Sequence, residues 1–342
     1  MEYGAIDLHT RESEIRIVNE DGAEVFARRV ATRPEALARV FADRAALRVL
    51  LESGTESEWV AQCLEGWGHT VVVADPSYAA MYGARQRRIK TDRRDVAALA
   101  EANRRGWYRP AHRVSRAQQT VREALTIRRT LINQRTQLIA VVRTLVRRQG
   151  SRVPTGQAET FVARLRQAPL PVDLQTALAP LLIALEGLAP LIAAADQAAT
   201  VRARADAVVR RLMTAPGVGP ITALNFRAAL DQVDRFADAG AVTSYLGLVP
   251  REHSSGDHQR KGRITKAGPR EPRAMLVQAS WTIWRMRRGP GLGLALWAQR
   301  VAARRGRRVA IVALARRLAR ILFAIWRDDQ PYRESVRHLV AA

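Results

Sequence analysis

Tyr3-Gly4-Ala5-Ile6-Asp7-Leu8 decides the reading of the first third of the chain. It has the apolar run of a buried strand, with one acid set inside it. A charge in a buried strand is costly unless it is paired or bound to a metal ion. Working outward, Glu14–Asn19 alternates apolar Ile15 and Ile17 with polar neighbours, a second strand. Glu20-Asp21-Gly22 is a turn, and Glu24–Val30 a third strand. Residues 34–46 have helical spacing, and Leu47–Leu51 is again a strand. Thr55 and Glu58 have the spacing of a capping box, which would open a helix to about Glu65. Gly66–Gly68 ends it, and Thr70–Ala74 is a further strand closed by Asp75-Pro76. A three-stranded meander followed by strand, helix and strand is the order of an RNase H-like sheet, an order that other α/β folds share.

Four acids stand out around that sheet. Asp7 lies within the first strand, and Glu52 follows Arg48-Val49-Leu50-Leu51 at a strand end. Asp92 and Asp95 lie three apart at the start of a helix that runs to about residue 104, hence on one face. Hard oxygen ligands drawn from several elements suit Mg²⁺, and two such ions can serve an attacking and a leaving oxygen in phosphoryl transfer. Each acid also has a plain reading. Asp92 and Asp95 would be favourable charges at any helix N-terminus. Glu52 would be a solvated strand end, with Glu56 and Glu58 as competitors.

Beyond residue 110 the periodicity changes. Ala117, Ala124, Leu131, Leu138 and Leu145 recur every seven residues, flanked by Leu125, Ile132, Ile139 and Val146. The spacing predicts one long helix over about 115–149, suited to a coiled coil or a long hairpin. Residues 150–172 are a Pro-punctuated connection. Leu174–Met213 is Ala/Leu-rich helix, expected to be interrupted at Pro180 and Pro190. Residues 214–342 read as short helices and loops ending in a basic helix at 303–327. The expected division is therefore an α/β RNase H-like (RuvC-like) domain at 1–110, a helical or coiled-coil linker and oligomerisation region at 111–213, and a mainly α domain at 214–342.

Two stretches of that last region carry chemistry. Ala215-Pro216-Gly217-Val218-Gly219-Pro220 precedes a helix and could point backbone N–H groups of Gly217 and Gly219 at a DNA phosphate, or be a tight helix–helix turn. Leu246-Gly247-Leu248-Val249-Pro250 leads into Arg251-Glu252-His253-Ser254-Ser255-Gly256, followed by Lys261-Gly262-Arg263-Ile264-Thr265-Lys266-Ala267-Gly268 and Arg273. A hydroxyl among cations could attack a phosphate, though spacing alone fits a polar surface loop equally. The Gly-x-Ser-x-Gly pattern of serine hydrolases is absent.

The 342 residues carry 56 Lys+Arg against 32 Asp+Glu, a net charge of +24. Residues 1–80 hold 14 acids and 8 bases, net −6, leaving net +30 for the rest. A polyanionic partner, nucleic acid ahead of membrane surface, follows from that excess; an arginine-rich proteome accounts for part of it. Arg85, Arg87, Arg88, Lys90, Arg93 and Arg94 are candidate phosphate contacts near the acids, and Arg304, Arg305, Arg307 and Arg308 a second set. The single cysteine, Cys63, excludes an intrachain disulfide and a Cys-based zinc site. The N-terminus has no signal-peptide pattern and the apolar runs are short, so a soluble cytoplasmic protein with no membrane partner is expected.

In combination these stretches resemble the DEDD-type insertion-sequence transposases, the IS110 family of bridge-RNA-guided recombinases, to which the Piv DNA invertase is related. The resemblance rests on Ala5-Ile6-Asp7-Leu8-His9, Leu50-Leu51-Glu52-Ser53-Gly54, Lys90-Thr91-Asp92-Arg93-Arg94-Asp95 and Pro216-Gly217-Val218-Gly219. It continues through Leu246-Gly247-Leu248-Val249-Pro250, Ser255-Gly256 and Gly262-Arg263-Ile264-Thr265-Lys266-Ala267-Gly268, in the family's order across nearly the whole chain. It implies a RuvC-like first domain with Asp7, Glu52, Asp92 and Asp95 as acids for one or two Mg²⁺, and Ser255 as the nucleophile of the C-terminal domain. Ser254 stands where the family has another residue. The resemblance also implies donor and target DNA and a structured guide RNA as partners. A homo-oligomer, a dimer or a tetramer in the synaptic complex, is expected because strand exchange needs two cleaved strands held together. A junction nuclease without serine chemistry and a non-catalytic nucleic-acid-binding protein are the alternatives.

Overall fold

The structure, a computed structural model, describes residues 1–78, 81, 92–255 and 258–334, without the side chains of 252–255 and 258–261. The chain divides into two compact units, Met1–Val114 and Ser115–Ala342.

In the first unit five strands form one mixed sheet: β1 (Tyr3–Asp7), β2 (Glu12–Val18), β3 (Glu24–Ala31), β4 (Arg48–Glu52) and β5 (Thr70–Ala74), in the order β3-β2-β1-β4-β5. β1, β2 and β3 are antiparallel neighbours, while β4 and β5 run parallel to β1. This order and these strand senses are compatible with an RNase H-like domain. Helices α1 (Pro34–Phe41) and α2 (Ser57–Gly66) pack on one face, over Ile6, Ile15, Ile17, Val49, Leu51 and Val73. α3 (Asp92–Arg105) covers the other, with Val96, Leu99 and Ala102 over Ala5, Val18 and Leu50. Alternate residues of β1, β4 and β5 therefore serve alternate cores. α1 is shorter than the expected 34–46, and the capping box at Thr55 does not form. Instead Ser57 Oγ, in the first turn of α2, donates to Gly54 O and accepts from Gly54 N.

Asn103, fully buried in the last turn of α3, fixes that helix on the sheet. Its Nδ2 donates to the carbonyls of Gly4 and Arg48, both at 2.7 Å, and its Oδ1 accepts from Arg48 Nε at 2.9 Å. Asp92, Asp95, Leu99 and Asn103 lie on one stripe of α3 by helical spacing, so this clamp at one end orients the acids at the other.

The second unit opens with α4 (Arg116–Arg148), whose N-cap Ser115 accepts from Gln118 N. α5 (Phe161–Arg166) leads to α6 (Val172–Ala205), which runs back along α4. Contrary to expectation, α6 continues through Pro180 and Pro190. Both prolines sit on its exposed side, while Leu178, Leu185, Ile192 and Ala199, seven apart, make the buried stripe. The heptad seam of α4 is met within the chain: Val142 and Val146 pack with Phe161, Leu165, Leu178 and Leu185, and Val121 and Leu125 join the C-terminal core. α6 is long and apolar enough to cross a membrane, but one such helix is weak evidence, and this one packs against α4, α5, α7 and α8.

α7 (Ala207–Leu212), α8 (Pro220–Leu230), α9 (Ala239–Tyr245), α10 (Arg270–Trp284), α11 (Leu292–Arg305) and α12 (Arg307–Arg327) build the remaining core around Leu224, Phe226, Leu276, Leu318 and Phe323. The basic helix expected at 303–327 is two helices, broken at Gly306, which has φ 81°. The serine stretch, expected as a loop, is a two-stranded antiparallel hairpin of β6 (Pro250–Ser255) and β7 (His258–Ile264).

Candidate active site

Strand parity decides which acids meet. In β1, Ala5 faces α3 and Ile6 the opposite core, so Asp7 is on the α3 face. In β4, Leu50 faces α3 and Leu51 the opposite core, so Glu52 is on the α3 face as well. The parallel register pairs Ala5 with Leu50 and Ile6 with Leu51, and the next neighbours along it are Asp7 and Glu52. Over this corner of the sheet α3 begins, with Asp92 partly exposed and Asp95 buried in its first turn.

The electrostatics register the gathering. Burial is the largest influence on the Asp7 carboxyl and raises it from its ordinary value. His9 opposes that shift, and Glu52, Asp92 and Asp95 each push Asp7 further up. Three of the acids named by the sequence thus act on the fourth, Asp7, and a bound cation would relieve that repulsion. The competitors of Glu52 are engaged elsewhere: Glu56 accepts from Trp59 Nε1 at 2.5 Å, and Glu58 from Arg113 Nη2 at 2.9 Å.

The structure adds three residues that sequence reading did not single out. Asp7 pairs with Glu14 across β1 and β2, and Glu14 with Arg29 across β2 and β3. Glu14 is a buried acid (6 % exposed) held by Arg29 Nε at 2.8 Å. The same guanidinium donates from Nη2 to Asp92 Oδ2 at 2.9 Å. His9 Nε2 lies 3.5 Å from Asp7 Oδ2 and 3.7 Å from Asp92 Oδ1. One ligand atom each from Asp7, His9 and Asp92 falls within 4.8 Å of the others. Two carboxylates and an imidazole at that spacing are a donor set that fits a divalent ion. Register was the available signal: the short 8–11 turn sets Glu14 opposite Asp7.

In the second unit, Leu246-Gly247-Leu248-Val249-Pro250 locks against Thr265-Lys266-Ala267-Gly268 at the base of the β6–β7 hairpin. Thr265 N donates to Val249 O and Lys266 N to Gly247 O. Gly247 has φ 65°, and a Cβ there would stand 2.3 Å from Ala267 O, so only glycine permits this approach. At the far end the register sets Ser255 opposite His258, with Ser254 opposite Gln259. The side chains of Ser254, Ser255 and Lys261 lie outside the described residues.

Of the expected nucleic-acid contacts, Arg93 and Arg94 are exposed beside Asp92 and Asp95. Arg263, Lys266, Arg304, Arg305, Arg307 and Arg308 are exposed too, with Arg307 5.5 Å above the Trp281 ring. Arg273 is partly buried and donates to the carbonyls of Leu246 and Ala267. Gly217, at φ 71°, presses on α10, where a Cβ would stand 2.8 Å from Ala279 O; Gly219, the N-cap of α8, faces open space. Arg85, Arg87, Arg88 and Lys90 lie outside the described residues.

A mixed sheet of this order with acids at the neighbouring ends of β1 and β4 is compatible with the DEDD class of nuclease-like domains, in which acids serve a divalent metal ion. Residues 5–149 match a DEDD-type IS110 transposase domain model, described as "Transposase", and residues 209–292 match the model "Transposase IS116/IS110/IS902 family". The "Probable family 20 transposase" of Pseudomonas aeruginosa is 31% identical over 292 residues, covering 83% of this chain and 85% of that protein. The "Transposase for insertion sequence element IS1111A" of Coxiella burnetii is 28% identical over 322 residues, covering 92% and 87%. The chain belongs to the IS116/IS110/IS902 transposase family and is a DNA transposase of the insertion-sequence kind.

Proposed function

We propose that this transposase cuts and rejoins DNA through a phosphoserine formed on Ser255, using Mg²⁺ held by Asp7, Glu52, Asp92 and Asp95, under the direction of a structured guide RNA. The observation that carries the reading is the convergence of four acidic charges on the α3 face of the sheet, in a family of DNA transposases. The ion, when bound, supplies charge neutralisation at the scissile phosphate. Asp7, with its side chain 15 % exposed, and Asp92, at 42 %, would help to hold it. Ser255 Oγ attacks phosphorus; the bond to a deoxyribose oxygen breaks, that oxygen takes a proton, and the serine proton passes to solvent or a carboxylate. A DNA hydroxyl then attacks the phosphoserine and regenerates the serine. Placement at the tip of a hairpin whose base is locked by Gly247 suits a residue that must reach DNA.

The exposed Arg93, Arg94, Arg304, Arg305, Arg307 and Arg308 are assigned to phosphates of DNA or RNA. The region 111–213 is assigned to oligomerisation. In support, α6 keeps Ile183, Leu191 and Val201 more than half exposed even after packing on α4.

The test is covalent trapping with the element's DNA ends, followed by denaturing electrophoresis. Wild-type protein and Ser254→Ala should give a protein–DNA adduct, and Ser255→Ala none. An adduct that persists in Ser255→Ala and disappears in Ser254→Ala would assign the chemistry to the other serine. Full activity after ribonuclease treatment and RNA removal would exclude the guide.

A further inference from the structure

We propose that His9 is a direct ligand of the metal ion at this centre, completing an Asp7–His9–Asp92 set, and that the site therefore prefers Mn²⁺ to Mg²⁺. The inference rests on the reading of the acids as metal ligands and adds to it a nitrogen donor and an ion preference. An octahedral ion with bonds of about 2.1 Å puts neighbouring ligand atoms ~3 Å apart and opposite ones ~4.2 Å apart. The three donor atoms here, mutually within 4.8 Å, are already close to that spacing. His9 Nε2 faces one oxygen of each acid, at 3.5 and 3.7 Å. Small side-chain rotations bring all three onto one ion.

The surroundings leave these atoms to an ion. Arg29 takes Asp92 Oδ2, while the oxygen nearest His9 is Oδ1. Arg29 is itself tied to Glu14 through Nε at 2.8 Å. The His9 backbone is fixed on both sides: Thr32 Oγ1 donates to its carbonyl at 2.7 Å, and its N–H donates to Ser13 Oγ at 3.4 Å. Ser13 and Thr32 hydroxyls bond each other at 2.7 Å, so the turn after β1 is braced by β2 and by the residue that follows β3. The imidazole is half-exposed at 53 %, open to an ion arriving from solvent, whereas Asp7 is 15 % exposed beneath it. Mg²⁺ selects oxygen ligands and gives up water reluctantly, whereas imidazole suits transition-metal ions. Mn²⁺ accepts both donor types.

The experiment uses the full chain without nucleic acid and Mn²⁺ as the probe. Bound Mn²⁺ is read by electron paramagnetic resonance with pulsed detection of nitrogen coupling, and Mn²⁺ and Mg²⁺ affinities by calorimetry. Wild-type protein should show one directly coordinated nitrogen and bind Mn²⁺ more tightly than Mg²⁺. His9→Ala and His9→Asn should lose the nitrogen coupling and about tenfold or more in Mn²⁺ affinity, while Mg²⁺ affinity changes less than threefold. Asp7→Asn should lose both ions. If Asp7→Asn abolishes Mn²⁺ binding but wild type shows no nitrogen coupling, the His9 assignment is overturned and the carboxylate site stands. If wild type binds neither ion, the carboxylate reading falls and takes this one with it. Circular dichroism separates either result from misfolding, which substitution of a half-exposed turn residue is not expected to cause.

Discussion

Asp7 bears the cost of the site. It sits at the end of a central strand, largely buried, with the charges of Glu52, Asp92 and Asp95 turned on it. Its folded carboxyl titrates above its ordinary value. Its contribution to stability is therefore greatest below the carboxyl's unfolded value and is lost as pH rises through the raised folded one. At neutral pH, with chelator present, Asp7→Asn should melt roughly 2–4 °C above wild type. The gap should close on acidification to about pH 4, and divalent ions should raise the melting temperature of wild type alone. An unchanged or lower melting point for the variant in chelator would show that the acids do not repel one another. The sequence carried much of this. An acid in an apolar strand is anomalous on its face, and the i, i+3 pair at a helix start is readable without coordinates. Glu14 and Arg29 were not, because a buried ion pair between neighbouring strands depends on register. His9 depends on how the turn after β1 bends back toward α3.

At the scale of elements, α3 is the piece that must be placed correctly, and Asn103 places it. The side chain satisfies carbonyls of two adjacent parallel strands and receives Arg48, which also stacks over Tyr3 at 5.0 Å. Asn103→Ala removes three buried hydrogen bonds: the second one to each of these strand carbonyls, and the one that Oδ1 accepts from Arg48 Nε. It should cost about 2–4 kcal/mol by urea unfolding, since a buried hydrogen bond contributes about 1 kcal/mol net. Strand cleavage should fall with it, through loss of alignment between Asp92, Asp95 and the sheet. A loss under about 0.5 kcal/mol, within the range of an ordinary surface change, would show that the apolar stripe of α3 suffices. The helices with strong periods, α3 and α4, are those that sequence reading bounded to within a residue or two. α6 misled because a helix interior usually excludes proline; here both prolines face outward and the heptad stripe outweighs them. The β6–β7 hairpin escaped because Pro250–Ser255 and His258–Ile264 are polar almost throughout and show no alternation. Their pairing is set by the locked base at Gly247 and Gly268.

On the scale of the whole molecule, charge and chemistry are distributed unequally. The first 80 residues, which hold Asp7 and Glu52, are net acidic, whereas the remainder, which holds Asp92 and Asp95, is net +30. A cation on the carboxylates reverses that local sign, and the basic remainder supplies grip that weakens steeply with salt. The proposed chemistry rests on four particular acids. Metal-dependent cleavage of the element's DNA by purified protein, measured for Asp7→Asn, Glu52→Gln, Asp92→Asn and Asp95→Asn beside Glu56→Gln and Glu58→Gln, tests it most directly. A loss of at least about a hundredfold is expected in each of the first four, the scale on which groups stabilising transition-state charge act, with near-normal rates in the last two and native circular dichroism throughout. Retained cleavage in any of the first four, or a loss in Glu56→Gln matching that in Glu52→Gln, would contradict it.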